Sequence, residues 1–170
     1  MPRAVAELFA HAEEQQAKGD TVAITMSFLQ IYIERITDLL GASAKSLAIR
    51  EDPQHGVFVE HLSAVPVASV ADVLRLVREG AANRATGFTD QNQASSRSHA
   101  MLCFTIEQTS AATAAEDAAT TTAETRRSTL RIVDLAGSER VSKSGSKVGN
   151  SRSGWVCMAT VACVGRLTRI

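Results

Sequence analysis

Val5, Leu8, Phe9 and Ala12 recur at the i, i+3, i+4, i+7 spacing of one helix face. The pattern predicts an amphipathic helix over residues 3–17, with Pro2 suited to its start. Lys18-Gly19-Asp20 breaks that pattern. Val22, Ile24, Met26 and Phe28 then alternate with smaller or polar residues, which predicts a half-buried strand. The run from Ile31 to Leu40 predicts a short helix ending at Gly41. Leu47 to Arg50 and Val57 to Val59 predict short strands around a turn at Asp52-Pro53. Ser69 followed by Asp72 has the form of a capping box, and Val70, Val73, Leu74 and Val77 behind it share one helical face. Gly80 is expected to close that helix, and residues 81–97, polar and aperiodic, read as a loop. Met101 to Ile106 predicts a strand. The segment 109–125 is Ala or Thr at 13 of 17 positions, a low-complexity connection expected to form a mobile hairpin loop. Leu130, Ile132 and Val133 make a buried strand that runs straight into Asp134. Strands and helices in this order point to an α/β layered domain.

Composition narrows the class. A chain of 170 residues has room for one domain, and 45% hydrophobic with 21% charged residues excludes a wholly disordered chain. The formal net charge is +0, which argues against a generic nucleic-acid or anionic-membrane binder. The longest late apolar stretch, Val156 to Val164, is too short to span a bilayer, and the N-terminus lacks an apolar signal core. Cys103, Cys157 and Cys163 fit neither an even disulfide framework nor paired zinc spacing, so a reducing compartment is expected. The balanced total conceals an asymmetry. Residues 1–125 hold 9 basic and 16 acidic residues, whereas residues 126–170 hold 9 basic and 2 acidic. Two surfaces that offset each other within one fold, or a basic end that faces an acidic partner, both account for it.

Two loops carry candidate chemistry. The first, Asn92-Gln93-Ala94-Ser95-Ser96-Arg97-Ser98-His99, precedes a strand. By itself a serine-rich run reads first as a solvated turn or a phosphorylation site. Its other reading is a phosphate and Mg²⁺ sensor, because Ser hydroxyls are hard neutral ligands and loop N–H groups can cradle phosphate oxygens. The second runs from Leu130 through Asp134-Leu135-Ala136-Gly137-Ser138-Glu139-Arg140. An apolar strand ending in Asp can place a carboxylate near Mg²⁺, and Gly137 lets its N–H approach a phosphate closely. An ordinary turn after a buried strand explains the same pattern.

Taken together, NxxSSRSH followed by DLAGSER resembles switch I and switch II of the kinesin motor domain. Pro2-Arg3-Ala4-Val5 with Leu8-Phe9, Ser27 to Tyr32 with Asp38-Leu39-Leu40, Ile49 to Asp52, and Gly80 with Asn83-Arg84 extend the resemblance over about residues 2–147. It implies a partial kinesin-type P-loop NTPase fold, α/β, with a mixed central sheet and helices on both faces. It divides the chain into a partial motor domain, 1–147, and an unmatched tail, 148–170. Switch I is then 92–99 and switch II 134–140. The implied cofactors are ATP and Mg²⁺, and the implied partner is the microtubule, with no nucleic acid and no membrane. The implied location is the cytoplasm and cytoskeleton.

The resemblance also implies residue roles. Ser96 would ligate Mg²⁺ directly and Asp134 through water. Ser95 and Gly137 would sense the γ-phosphate, with Asn92 beside the phosphates. Arg97 and Glu139 would bridge the two switches and position the attacking water. His99 is expected to be structural. Ile33 stands where the family has an asparagine. The sequence carries no GxxxxGK[ST] phosphate loop: after Gly149 and Gly154 come Trp155-Val156. From Val148 onward the tail departs from the family pattern, as an unspliced intron or truncated gene model would produce. The expected protein is therefore a fragment of a kinesin-like motor, inactive by itself. The alternative is a non-enzymatic, degenerate kinesin-like binding module or truncated gene product.

Overall fold

A computed structural model describes residues 2–42, 45–53, 56–86, 98–110, 124–136 and 160–162, the last three and residue 86 by backbone alone. Helix α1 (Pro2–Ala17) leads into a long strand β1 (Thr21–Tyr32), followed by β2 (Arg35–Asp38), β3 (Ile49–Asp52), β4 (Gly56–Val59) and β5 (Val65–Pro66). Helix α2 (Val70–Thr86), β6 (His99–Thr109), β7 (Thr125–Asp134) and β8 (Thr160–Ala162) complete the order. The main sheet runs β2-β1-β6-β7-β8, with β5 also paired to β1, while β3 and β4 form a separate two-stranded sheet. Every described pair is antiparallel.

The period-2 alternation of β1 and β6 sets the core. In register, Met26, Phe104 and Leu130 form one cross-strand row, and Phe28, Leu102 and Ile132 form the next. These rows face α1 through Val5, Phe9 and Ala12, and α2 through Val73 and Leu76. Both described helices thus cover the same sheet face. Burying a Phe or Leu side chain fully contributes about 1.5–3 kcal/mol, so these two rows dominate the cohesion of the domain. The following row on this face is Gln30, Ala100 and Asp134. There the apolar core gives way to polar groups.

The helix expected over Ile31 to Leu40 is absent. β1 continues to Tyr32, the chain reverses at Ile33-Glu34, and β2 returns along its edge, pairing Tyr32 with Arg35 and Leu29 with Asp38. Both turn residues have positive φ, 45° and 61°, as a two-residue hairpin turn with the strands' own twist requires. Alternation along β2 decides against a helix, because Ile36 and Asp38 are buried while Arg35 and Thr37 are not. The Asp38 carboxylate accepts the N–H groups of Leu40 and Ser63 at 2.9 and 2.8 Å. Ile33 is β-branched, 74% exposed and left-handed, so it is strained without any burial to compensate. Ile33→Asn should therefore raise stability by about 1 kcal/mol, since asparagine tolerates this conformation better. Urea unfolding measures it, and an unchanged or lower midpoint would show that the turn is not strained.

Helix α2 begins as the cap pattern predicts. The Asp72 N–H donates to Ser69 Oγ at 3.2 Å, and the hydroxyl donates back to Asp72 Oδ2 at 2.8 Å. The Ser69 hydroxyl and then the Ala68 N–H hold the Asp72 carboxyl below its ordinary value. The helix does not stop at Gly80, however. It runs to Thr86, so residues 81–86, read from sequence as loop, form its last turns. Gly80 is a contact point: a Cβ there would meet Phe28 Cδ1 and lie 2.6 Å from Phe28 Cε1. The short strands around 47–59 are displaced slightly from expectation, with Leu47 bridging to Ile36 ahead of β3. The connection 109–125 closes as a hairpin at its base, where Thr109 pairs with Thr125. The Ser110 N–H donates to Glu124 O at 3.0 Å. Residues 111–123, and the tail apart from 160–162, lie outside the described residues.

Candidate functional site

Strands β6 and β7 are adjacent, which brings the end of the serine-rich run beside the start of the Asp-Leu-Ala-Gly run. The backbone ladder between them ends at the pair Ala100–Asp134. Beyond it, the Ala136 N–H donates to His99 Nδ1 at 3.0 Å. That bond needs an acceptor lone pair on Nδ1, so the imidazole proton sits on Nε2. His99 therefore holds the backbone after Asp134, a structural role as expected from sequence.

The last turns of α2 reach the same place. Arg84 Nη2 donates to Ser98 O and Ser98 Oγ at 3.0 and 2.9 Å. Its Nη1 lies 3.5 Å from Asp134 Oδ2, with the two side chains 14% and 21% exposed. One turn earlier, Gly80 lets α2 sit close on Phe28, which sets how near Arg84 comes to the sheet. The Asn83 amide donates to Leu39 O at 2.8 Å and fixes the helix rotation. Gln30, only 4% exposed, shares the row of Asp134, and its Nε2 has no partner among the described residues.

Of the residues proposed from sequence, the structure describes Asp134 at the end of β7. Asn92, Ser95, Ser96, Arg97, Gly137 and Glu139 lie outside the described residues. Sequence reading missed the tie of Arg84 to Ser98 and Asp134, because it placed Arg84 in a loop. The signal was the helical continuation Asn83-Arg84 one turn after Gly80. Away from this site, burial pushes the Cys103 thiol up, only partly opposed by Arg131. A groove lined by Asp38, Gly41, Lys45, Leu47, His61 and Ser63 lies by β2, separated from β7 by β1 and β6. No three metal-ligating side chains cluster among the described residues, and no described helix is long and apolar enough to cross a membrane.

Residues 1–156 match the kinesin motor domain. The chain belongs to the kinesin family. It is 42% identical over 151 residues to the kinesin-like protein KIN-12D of Arabidopsis thaliana, covering 86% of this chain and 5% of that one. It is 36% identical over 146 residues to the kinesin heavy chain of Syncephalastrum racemosum, covering 86% of this chain and 14% of that one. The fold agrees with the solved structure of a fast kinesin at a TM-score of 0.71 and 35% identity, over 86% of this chain and 38% of that one. The chain thus spans a small share of its kinesin relatives' length. Its expected class, an α/β kinesin-type fold, is the one found.

A carboxylate at a strand end, partly exposed and with one oxygen beside Arg84, offers oxygen ligation of the kind Mg²⁺ prefers. A soft metal would find no thiolate there among the described residues.

Proposed function

We propose that this segment carries the two nucleotide-sensing switches of a microtubule motor that hydrolyses ATP. The supporting observation is that β6 and β7 pair up to the point where the NQASSRSH run ends, at His99, and the DLAGSER run begins, at Asp134, with His99 and Ala136 tied to each other. In this reading Ser96 and Asp134 hold Mg²⁺, which supplies charge neutralisation on the phosphate oxygens. Ser95 and the Gly137 N–H meet the γ-phosphate, and Asn92 sits beside the phosphates. Arg97 and Glu139 bridge the switches and orient the attacking water. The chain's own work is positioning: β6 and β7 hold the anchors of the two loops in register, so in this reading small shifts at the phosphate are felt in both. Movement of the switches is coupled to the microtubule, the cytoskeletal partner. Nucleic acid and membrane play no part in this reading, and the family match carries the motor segment to residue 156.

The test is a chimera in which residues 2–136, extended to Lys147, replace the matching segment of an active kinesin motor domain. Microtubules should stimulate its phosphate release. Arg97→Lys should cut that stimulated rate at least about tenfold while leaving ATP affinity nearly unchanged, because Lys cannot reproduce the planar fork. An intact stimulated rate in the variant would overturn the switch assignment. Microtubule binding with no ATP turnover in the parent chimera would favour the non-enzymatic alternative.

A further inference from the structure

We propose that Gln30 is a positioning residue: its side-chain amide donates to one buried water, which in turn donates to the Asp134 carboxylate and holds it from the β1 side. The inference rests on the switch reading for its functional meaning, an aimed ligand at the phosphate end, but the water site itself is independent of any nucleotide.

Gln30 is 4% exposed, and its Nε2 has no hydrogen-bond partner among the described residues. A buried donor left unsatisfied costs folding free energy, so nearly all such groups find an acceptor in protein or ordered water. Gln30, Ala100 and Asp134 are in register across β1, β6 and β7, so they share one face of the sheet. The cation on that face, Arg84, cannot serve, because a guanidinium carries donors only. Ser98, two residues before Ala100, already accepts from Arg84 at both its carbonyl and its hydroxyl oxygen. The acceptor in the row is Asp134. Its Oδ2 lies 3.5 Å from Arg84 Nη1, and an ionised carboxylate offers about four acceptor sites, so it has capacity for a further donor. Direct contact is out of reach. Two strand spacings, about 9–10 Å, separate the residues, and side chains on a strand stand roughly perpendicular to the sheet. A water with one partner on each side spans about 5.5 Å. Ala100 between them ends at Cβ and adds no side chain to fill the span, and at 0% exposed it is closed to bulk solvent. The bridge brings no charge, so it orients the carboxylate without neutralising it toward a cation.

The experiment joins urea unfolding of the 170-residue chain to side-chain amide NMR, without nucleotide. Gln30→Met keeps the length of the side chain and removes the donor. A bridged amide predicts an unfolding constant raised about three- to tenfold, the loss of one hydrogen bond. An orphaned amide predicts the opposite sign, and a variant more stable than the parent would overturn the bridge. In an Asp134→Leu background the effect of Gln30→Met should vanish or reverse, because the water has lost its second partner. Purely additive effects, as expected of distant residues with no shared partner, would overturn it too. In the isotope-labelled parent, the Gln30 side-chain amide signals, assigned by their loss in Gln30→Met, should show a cross-peak to a long-lived water. Asp134→Leu should abolish that cross-peak. Its absence from the parent would overturn the proposal even where a variant fails to fold. In the chimeric motor, Gln30→Met should raise the Mg²⁺ concentration for half-maximal ATPase about tenfold, as the loss of a partner to a metal-ligating carboxylate does. An unchanged Mg²⁺ dependence would remove the positioning role. A parent chimera without ATPase activity would sink the switch reading and leave the unfolding and NMR results standing.

Discussion

Gly80→Val should lower stability by about 2–3 kcal/mol, a large share of the roughly 5–15 kcal/mol typical of a domain. In a helix interior, replacing glycine gains up to about 1 kcal/mol through propensity, so helix propensity alone would predict the opposite sign. The structure reverses the sign. A Cβ at Gly80 meets the Phe28 ring, and Leu39 Cβ lies 3.4 Å away on the other side. Phe28 is 2% exposed and locked in its cross-strand row with Leu102 and Ile132, so it has no free rotamer to yield. The helix must lift instead. Because Arg84 lies one turn further on, that lift also pulls on Ser98 and Asp134. Thermal unfolding should show a midpoint lower by about 5–10 °C. A midpoint equal to or above the parent would mean that α2 does not rest on Phe28.

Asp134→Asn should reduce ATP turnover in the chimeric motor by about 100-fold or more, the scale of losing one preorganised charge from a phosphoryl-transfer site. Two effects act together. The carboxylate is the hard oxygen donor proposed for Mg²⁺, and an amide oxygen is a weaker one. The substitution also removes the counter-charge of Arg84, whose side chain is 14% exposed. That second loss is softened by solvent at Asp134, so the folded chain should persist with a modest fall in stability. Steady-state ATPase and a thermal scan on the same preparation separate the two. Turnover within a few-fold of the parent, at unchanged stability, would remove Asp134 from the machinery. Loss of turnover that merely tracks unfolding would do the same.

How well the sequence spoke depended on the range of the interactions involved. The helix face of Val5, Phe9 and Ala12 is a local period, and α1 is where it predicts. So are the Ser69–Asp72 cap, whose partners are three residues apart, and the strand that ends at Asp134. The NQASSRSH and DLAGSER runs are legible for a different reason: each alone reads as an ordinary polar turn, but together they match the motifs of one family. Ile31 to Leu40 was misread because a short apolar run has no decisive period. Its hairpin is fixed by edge pairing with β1, which forces Ile33 and Glu34 into positive φ against their own preference.

The sequence by itself determined the family and the α/β class, because these follow from local periodicity and from motifs specific enough to mark a family. Only the tertiary structure decided what Gly80 and Arg84 are for. A glycine after an apolar helix face reads as a stop, and an arginine in a polar stretch reads as solvated surface. Folding brings Phe28 beneath the one and Ser98 with Asp134 around the other, partners far away along the chain. Close approach and charge pairing of this kind depend on distances in space, and nothing in the spacing of residues along a chain encodes them directly.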